Sequence, residues 1–98
     1  GIELSQSAIP LDGKVDAACK MLGLDPLYVA NEGKVLAIVA KDVAEKALDI
    51  LRSDPKGEKA AIIGEIVENH SGQVLLKSKI GGRRVVGMLP GEQLPRIC

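Results

Sequence analysis

The residue in this 98-residue chain best suited to chemistry is its last, because the sequence finishes Leu94-Pro95-Arg96-Ile97-Cys98 with a thiol on the terminal residue. Residues 90–98 include Pro90, Gly91 and Pro95 and carry no helical or strand period that would hold Cys98 against a core. Fully extended, they reach about 30 Å, enough to carry the sulfur to a site elsewhere. A thiolate is a strong nucleophile, and an exposed one is open to oxidation and cross-linking. Arg96 favours the thiolate, and the chain's own terminal carboxylate opposes it. From the tail alone two readings stand. Cys98 is either a nucleophile that is loaded and then presented to another active site, or an incidental exposed cysteine.

Glu32 is the second candidate. It stands in Asn31-Glu32-Gly33, a turn expected between two strands, where neither a cap nor a core role suits a carboxylate. It is either a solvated turn residue or an acid or base aimed at an incoming group. Other chemistry-bearing residues read as structural. His70 has no Cys, His or carboxylate at metal-ligand spacing and reads as a turn residue. The run Gly81-Gly82-Arg83-Arg84 follows one strand and leads into another. Phosphate-cradling loops open a helix, so a hairpin turn is expected here. Gly64 interrupts an apolar strand, which fits a bulge or the close approach of another strand.

These residues need a scaffold, and the apolar spacing describes one. Residues 1–9 read as an extended arm ended by Pro10. Asp12 then caps a helix whose stripe is Val15, Ala18, Cys19 and Leu22, with Cys19 as a small core residue. Gly23 is suited to the left-handed position after that helix, with Leu24 as the apolar residue beyond it. Strands are expected over 27–30 and 34–40, joined by the Asn-Glu-Gly turn. Asp42 and Glu45 have capping-box spacing ahead of a second helix burying Val43, Ala44, Ala47, Leu48 and Leu51. Three strands follow, over 60–68, 74–79 and 83–88, with turns short enough to make antiparallel hairpins. This order predicts an α+β fold, with a mixed, mostly antiparallel sheet packed with two main helices. The expected organisation is a domain over 1–89 and a flexible tail over 90–98 that delivers Cys98.

Composition narrows the functional classes. Thirteen basic residues balance thirteen acidic ones, so no overall field favours nucleic acid or an anionic membrane. Tyr28 is the only aromatic residue, which removes the stacking platforms of single-strand binders and makes the core aliphatic. No apolar run is long enough to cross a bilayer, and no signal peptide is read at the start. With two cysteines, this places the chain in a reducing, cytoplasmic setting. Starting at Gly1, directly in a strand-like Ile2-Glu3-Leu4, the chain is expected to be part of a longer protein.

The run from Gly23 to Lys34 (GLDPLYVANEGK), the segment Ala61-Ile62-Ile63-Gly64-Glu65 and the ending Pro95-Arg96-Ile97-Cys98 are similar to those of the HypE family of hydrogenase-maturation proteins. The resemblance covers nearly all of the chain, and its most specific element is the terminal Pro-Arg-Ile-Cys. It implies the carboxy-terminal domain of the aminoimidazole-ribotide-synthetase (PurM) superfamily, with the ATP- and Mg2+-binding half outside these residues. It further implies that a HypF-type carbamoyltransferase loads the terminal sulfur. The full-length enzyme then uses ATP to dehydrate the S-carboxamide to a thiocyanate. The cyano group passes to iron in a HypC–HypD-type complex, for nickel-iron hydrogenase. On this resemblance Cys98 is the acceptor and Glu32 the base, the full-length protein is a homodimer, and the isolated domain is inactive and binds no cofactor. The alternative is a non-catalytic ligand-binding or dimerisation module in which Cys98 is incidental.

Overall fold

A computed structural model describes residues 1–88. The predicted tail and Cys98 lie outside the described residues. The elements run β1 (Ile2–Ser5), α1 (Gly13–Leu22), α2 (Ala44–Arg52), β2 (Gly64–Ile66), β3 (Val74–Lys77) and β4 (Arg83–Val85). Short 3-10 turns cover Gln6–Ala8, Pro26–Tyr28, Lys41–Val43 and Pro55–Gly57. The result is the expected α+β fold, with a four-stranded mixed sheet in the order β2-β1-β3-β4.

The expected extended arm is in fact an inner strand. β1 pairs antiparallel with β2 through Ile2↔Ile66 and parallel with β3 through Ile2↔Val74. The strands at 60–68 and 74–79 therefore do not form a hairpin with each other. Their short connection passes around β1, which takes the inner edge of both. The β3–β4 hairpin forms as expected, with Lys77 opposite Arg83. Its turn is closed by Ser78 N–H donating to the Gly82 carbonyl at 2.7 Å, with Gly81 at φ 96°.

Gly64 is the close-approach position. A Cβ there would run into the backbone of Glu3 and Leu4 on β1. That obstacle is the main chain of an inner strand and cannot swing aside. Gly64→Ala is expected to destabilise the chain by about 1–3 kcal/mol, the usual cost of overpacking. Chemical denaturation checks this, and an unchanged midpoint would show that β1 and β2 separate freely.

The described residues fall into two compact units. One comprises Gly1–Pro10 and Ile38–Gly87, and holds the sheet and α2. Residues sharing a register also share a face, so Ile2, Leu4, Ile66, Val74 and Leu76 form its apolar side. Leu76 is 1% exposed and Leu48 of α2 is also buried, which places the core of this unit. Arg52, at the end of α2, donates from Nε to the Ala60 carbonyl at 3.0 Å and ties that helix to the approach to β2. The predicted capping box is absent. Asp42 falls in the Lys41–Val43 turn and α2 begins at Ala44, with no side-chain bond from its cap residue Val43. Of the residues expected to be buried, Leu48 is buried and Ala44 and Ala47 are half-buried, while Val43 and Leu51 remain exposed.

The second unit contains Leu11–Ala37 and, among the described residues, Met88. α1 follows its sequence signals closely. Asp12 Oδ1 accepts from Lys14 N–H at 2.8 Å, Gly23 is left-handed at φ 68°, and Leu24 N–H reaches the Cys19 carbonyl at 2.9 Å. Cys19 is buried, whereas Val15, Ala18 and Leu22 are exposed. The two strands expected over 27–30 and 34–40 are not formed. Asp25 instead caps the 3-10 turn Pro26–Tyr28, with Pro26 at its first position. Residues 34–40 have no strand partner among the described residues.

Candidate functional site

Glu32 lies in an open bend of the second unit. Its side chain is exposed. The bend is shaped by its neighbours, because Asn31 donates from Nδ2 to the Val29 carbonyl at 3.1 Å and Gly33 takes φ 72°. A residue with a Cβ is strained at that φ, which accounts for glycine after Glu32. The bend is thus built without strand pairing, and it leaves the carboxylate open to an incoming group. The other predicted site residue, Cys98, lies outside the described residues.

The remaining sequence candidates have structural places. His70 is in a turn at φ 58°, and its Nε2 lies 3.5 Å from Glu3 Oε1 on β1. Its carbonyl accepts from Gln73 N–H at 2.8 Å, closing the turn into β3. Among the described residues, no group of three or more His, Cys, Asp and Glu is placed to hold a metal ion. Cys19 is a free thiol with 4% exposure. Alkylation of the native chain is expected to leave Cys19 unmodified on a timescale in which denatured chain reacts fully, as read by peptide mass spectrometry. Rapid native labelling would mean that α1 opens readily.

One feature was not anticipated. The polar side of the sheet carries Glu3 directly opposite Glu65, and Lys77 directly opposite Arg83. With Ser5 and Leu75 they line an open concavity of about 360 Å³. Like charges facing each other across a strand pair are unfavourable. Period-two alternation could have revealed this face, once β1 was recognised as a strand between β2 and β3.

Two places in the described residues could suggest a phosphate cradle, and neither is built as one. The start of α1 is occupied by the Asp12 carboxylate, which takes up the donor a phosphate would use, and the glycine pair Gly81-Gly82 leads into β4 rather than a helix.

Residues 1–77 match the family described as AIR synthase related protein, C-terminal domain. The chain belongs to this family. Over all 98 residues, this AIR synthase related chain is 53% identical to the carbamoyl dehydratase HypE of Cupriavidus necator, and it spans 28% of that protein's length. It thus spans less than a third of that relative. Among solved structures, a HypE in complex with ATP superposes with a TM-score of 0.84 at 45% identity, covering 99% of this chain and 30% of that one. A HypE–HypF complex superposes with a TM-score of 0.81 at 41% identity, covering 89% and 28% respectively. The α+β fold of this AIR synthase related domain is therefore that of the corresponding part of HypE. Among the described residues, no helix is long and apolar enough to cross a membrane.

Proposed function

We propose that this chain is the carboxy-terminal part of a carbamoyl dehydratase that makes the cyanide ligand of nickel-iron hydrogenase. The supporting observation is identity of 45–53% to HypE proteins that runs through all 98 residues. In this reading, 1–89 is the folded domain and 90–98 the carrier segment. A carbamoyltransferase of the HypF type places a carbamoyl group on Cys98 Sγ, a reading supported by the HypE–HypF complex among the similar structures. ATP with Mg2+, bound by the remainder of a longer polypeptide, turns the amide oxygen into a leaving group. The similar HypE with bound ATP supports that part.

The part played by the present residues follows from the balance of the reaction. Converting S–C(O)NH2 to S–C≡N removes the oxygen and both amide protons, so a base must stand near the nitrogen. Glu32 takes that role, from a bend that leaves its carboxylate accessible. Cys98 then offers the cyano group to an iron-bearing complex of the HypC–HypD type. The working enzyme is a cytoplasmic homodimer, and these 98 residues alone turn nothing over. The second reading, a non-catalytic binding or dimerisation module with an incidental cysteine, makes the opposite prediction.

Mass spectrometry of Cys98 decides between them. The full-length protein is incubated with the carbamoyltransferase and carbamoyl phosphate, with and without ATP. The expected result is a carbamoyl adduct on Cys98 that becomes a thiocyanate in the presence of ATP. An unmodified Cys98 under both conditions would overturn the reading.

A further inference from the structure

Residues 34–40, Lys-Val-Leu-Ala-Ile-Val-Ala, are left without a role by the reading above. Their composition is that of a strand, yet they belong to no helix or strand and appear in none of the sheet registers. Val35, Leu36, Ile38 and Val39 are 91%, 75%, 69% and 46% exposed. Four aliphatic side chains within five residues thus remain exposed to water, which is unfavourable relative to burial.

The arrangement of these residues says what would cover them. In an extended strand, successive side chains point to opposite faces. Val35 and Leu36 then open apolar surface on both sides, as do Ile38 and Val39. An edge strand, or one with a solvated face, alternates apolar with polar. A run apolar on both sides belongs inside a sheet covered on each face.

We propose that residues 34–40 form an interior strand by pairing with an extended segment of the same, longer polypeptide, which also supplies the layers over both faces. One observation and one physical argument favour that occupant. The chain spans only 28% of its Cupriavidus relative, so more than twice its own length of further chain is present in such a protein at high effective concentration. A second copy pairing through its own 34–40 would satisfy one backbone edge and leave both apolar faces in water. The inference rests on exposure and on the length of the relatives, not on the chemistry of Cys98. It stands or falls separately from the proposed reaction.

Amide hydrogen exchange tests it on three samples. These are the 98-residue chain at low and high concentration, a chimera in which these residues replace the matching part of the Cupriavidus protein, and that protein unaltered. Amides of 34–40 are expected to exchange freely in the chain alone at both concentrations, and about 10³-fold or more slowly in the chimera. Val35→Lys is expected to leave the melting temperature of the chain alone unchanged and to unfold the chimera. Should the chimera itself fail to fold, the matching peptide of the unaltered relative is read in its place. Protection in the dilute chain alone would overturn the proposal. So would protection that rises with concentration alongside a dimer, or free exchange in both longer proteins.

Discussion

Replacing Cys98 with serine in the full-length protein is expected to abolish thiocyanate formation and leave the fold unchanged. At neutral pH a serine alkoxide is far scarcer than a cysteine thiolate, so the acceptor would be lost outright. Its segment has no apolar period to pack against a core. The melting temperature should stay within about two degrees of the parent value. Cys19 cannot substitute, since its thiol, on α1, is buried. Thiocyanate recovered from the serine variant, read by peptide mass spectrometry, would rule out Cys98 as the acceptor. A marked fall in melting temperature would give it a structural role instead.

Glu32→Gln should slow thiocyanate formation by about 10²-fold or more, the usual scale for losing a general base. The change keeps size and hydrogen-bonding capacity and removes only the proton acceptor. Folding should be unaffected, because the bend is shaped by Asn31 and by Gly33 at positive φ, with the Glu32 side chain exposed. Loading of Cys98 by the carbamoyltransferase should also proceed as before. The separation of these two steps is what makes the test specific. A variant that loads and dehydrates at the parental rate would leave Glu32 as a turn residue and move the base to another part of the polypeptide.

How much of this was legible in the sequence depends on whether the deciding interaction was local. α1 was legible in detail, since Asp12 and Gly23 act on backbone groups within a few residues of themselves. The β3–β4 hairpin was legible for the same reason, through Gly81 and Gly82. The start of α2 was misplaced by only one residue, but its predicted cap failed because Asp42 was drawn into the Lys41–Val43 turn. The sheet order was not legible. A short link between β2 and β3 reads as a hairpin, and only the competition of β1 for both inner edges makes it otherwise. Residues 34–40 carried a true strand pattern, but a pattern does not say whether a partner exists within the same 98 residues. For the candidate site, sequence identified Glu32 and its glycine, whereas the polar sheet face with Glu3, Glu65, Lys77 and Arg83 depended on the unseen pairing.

The central place of β1 also sets an order of events during synthesis. Its residues leave the ribosome before any strand they pair with, and the bond from the Gly1 amine to the Val67 carbonyl spans 66 positions. The parallel register from Ile2 to Val74 spans more. No partial sheet of use to β1 exists until β2 has emerged, and the parallel pairing waits for β3. Contacts of such separation close slowly, because the intervening chain must lose its freedom before any pairing offsets that loss. The contacts that cap helix α1, by contrast, are all local. The nascent chain should therefore carry an unpaired, bonding-competent strand for as long as translation takes to cover more than sixty residues. During that interval β1 is open to wrong partners.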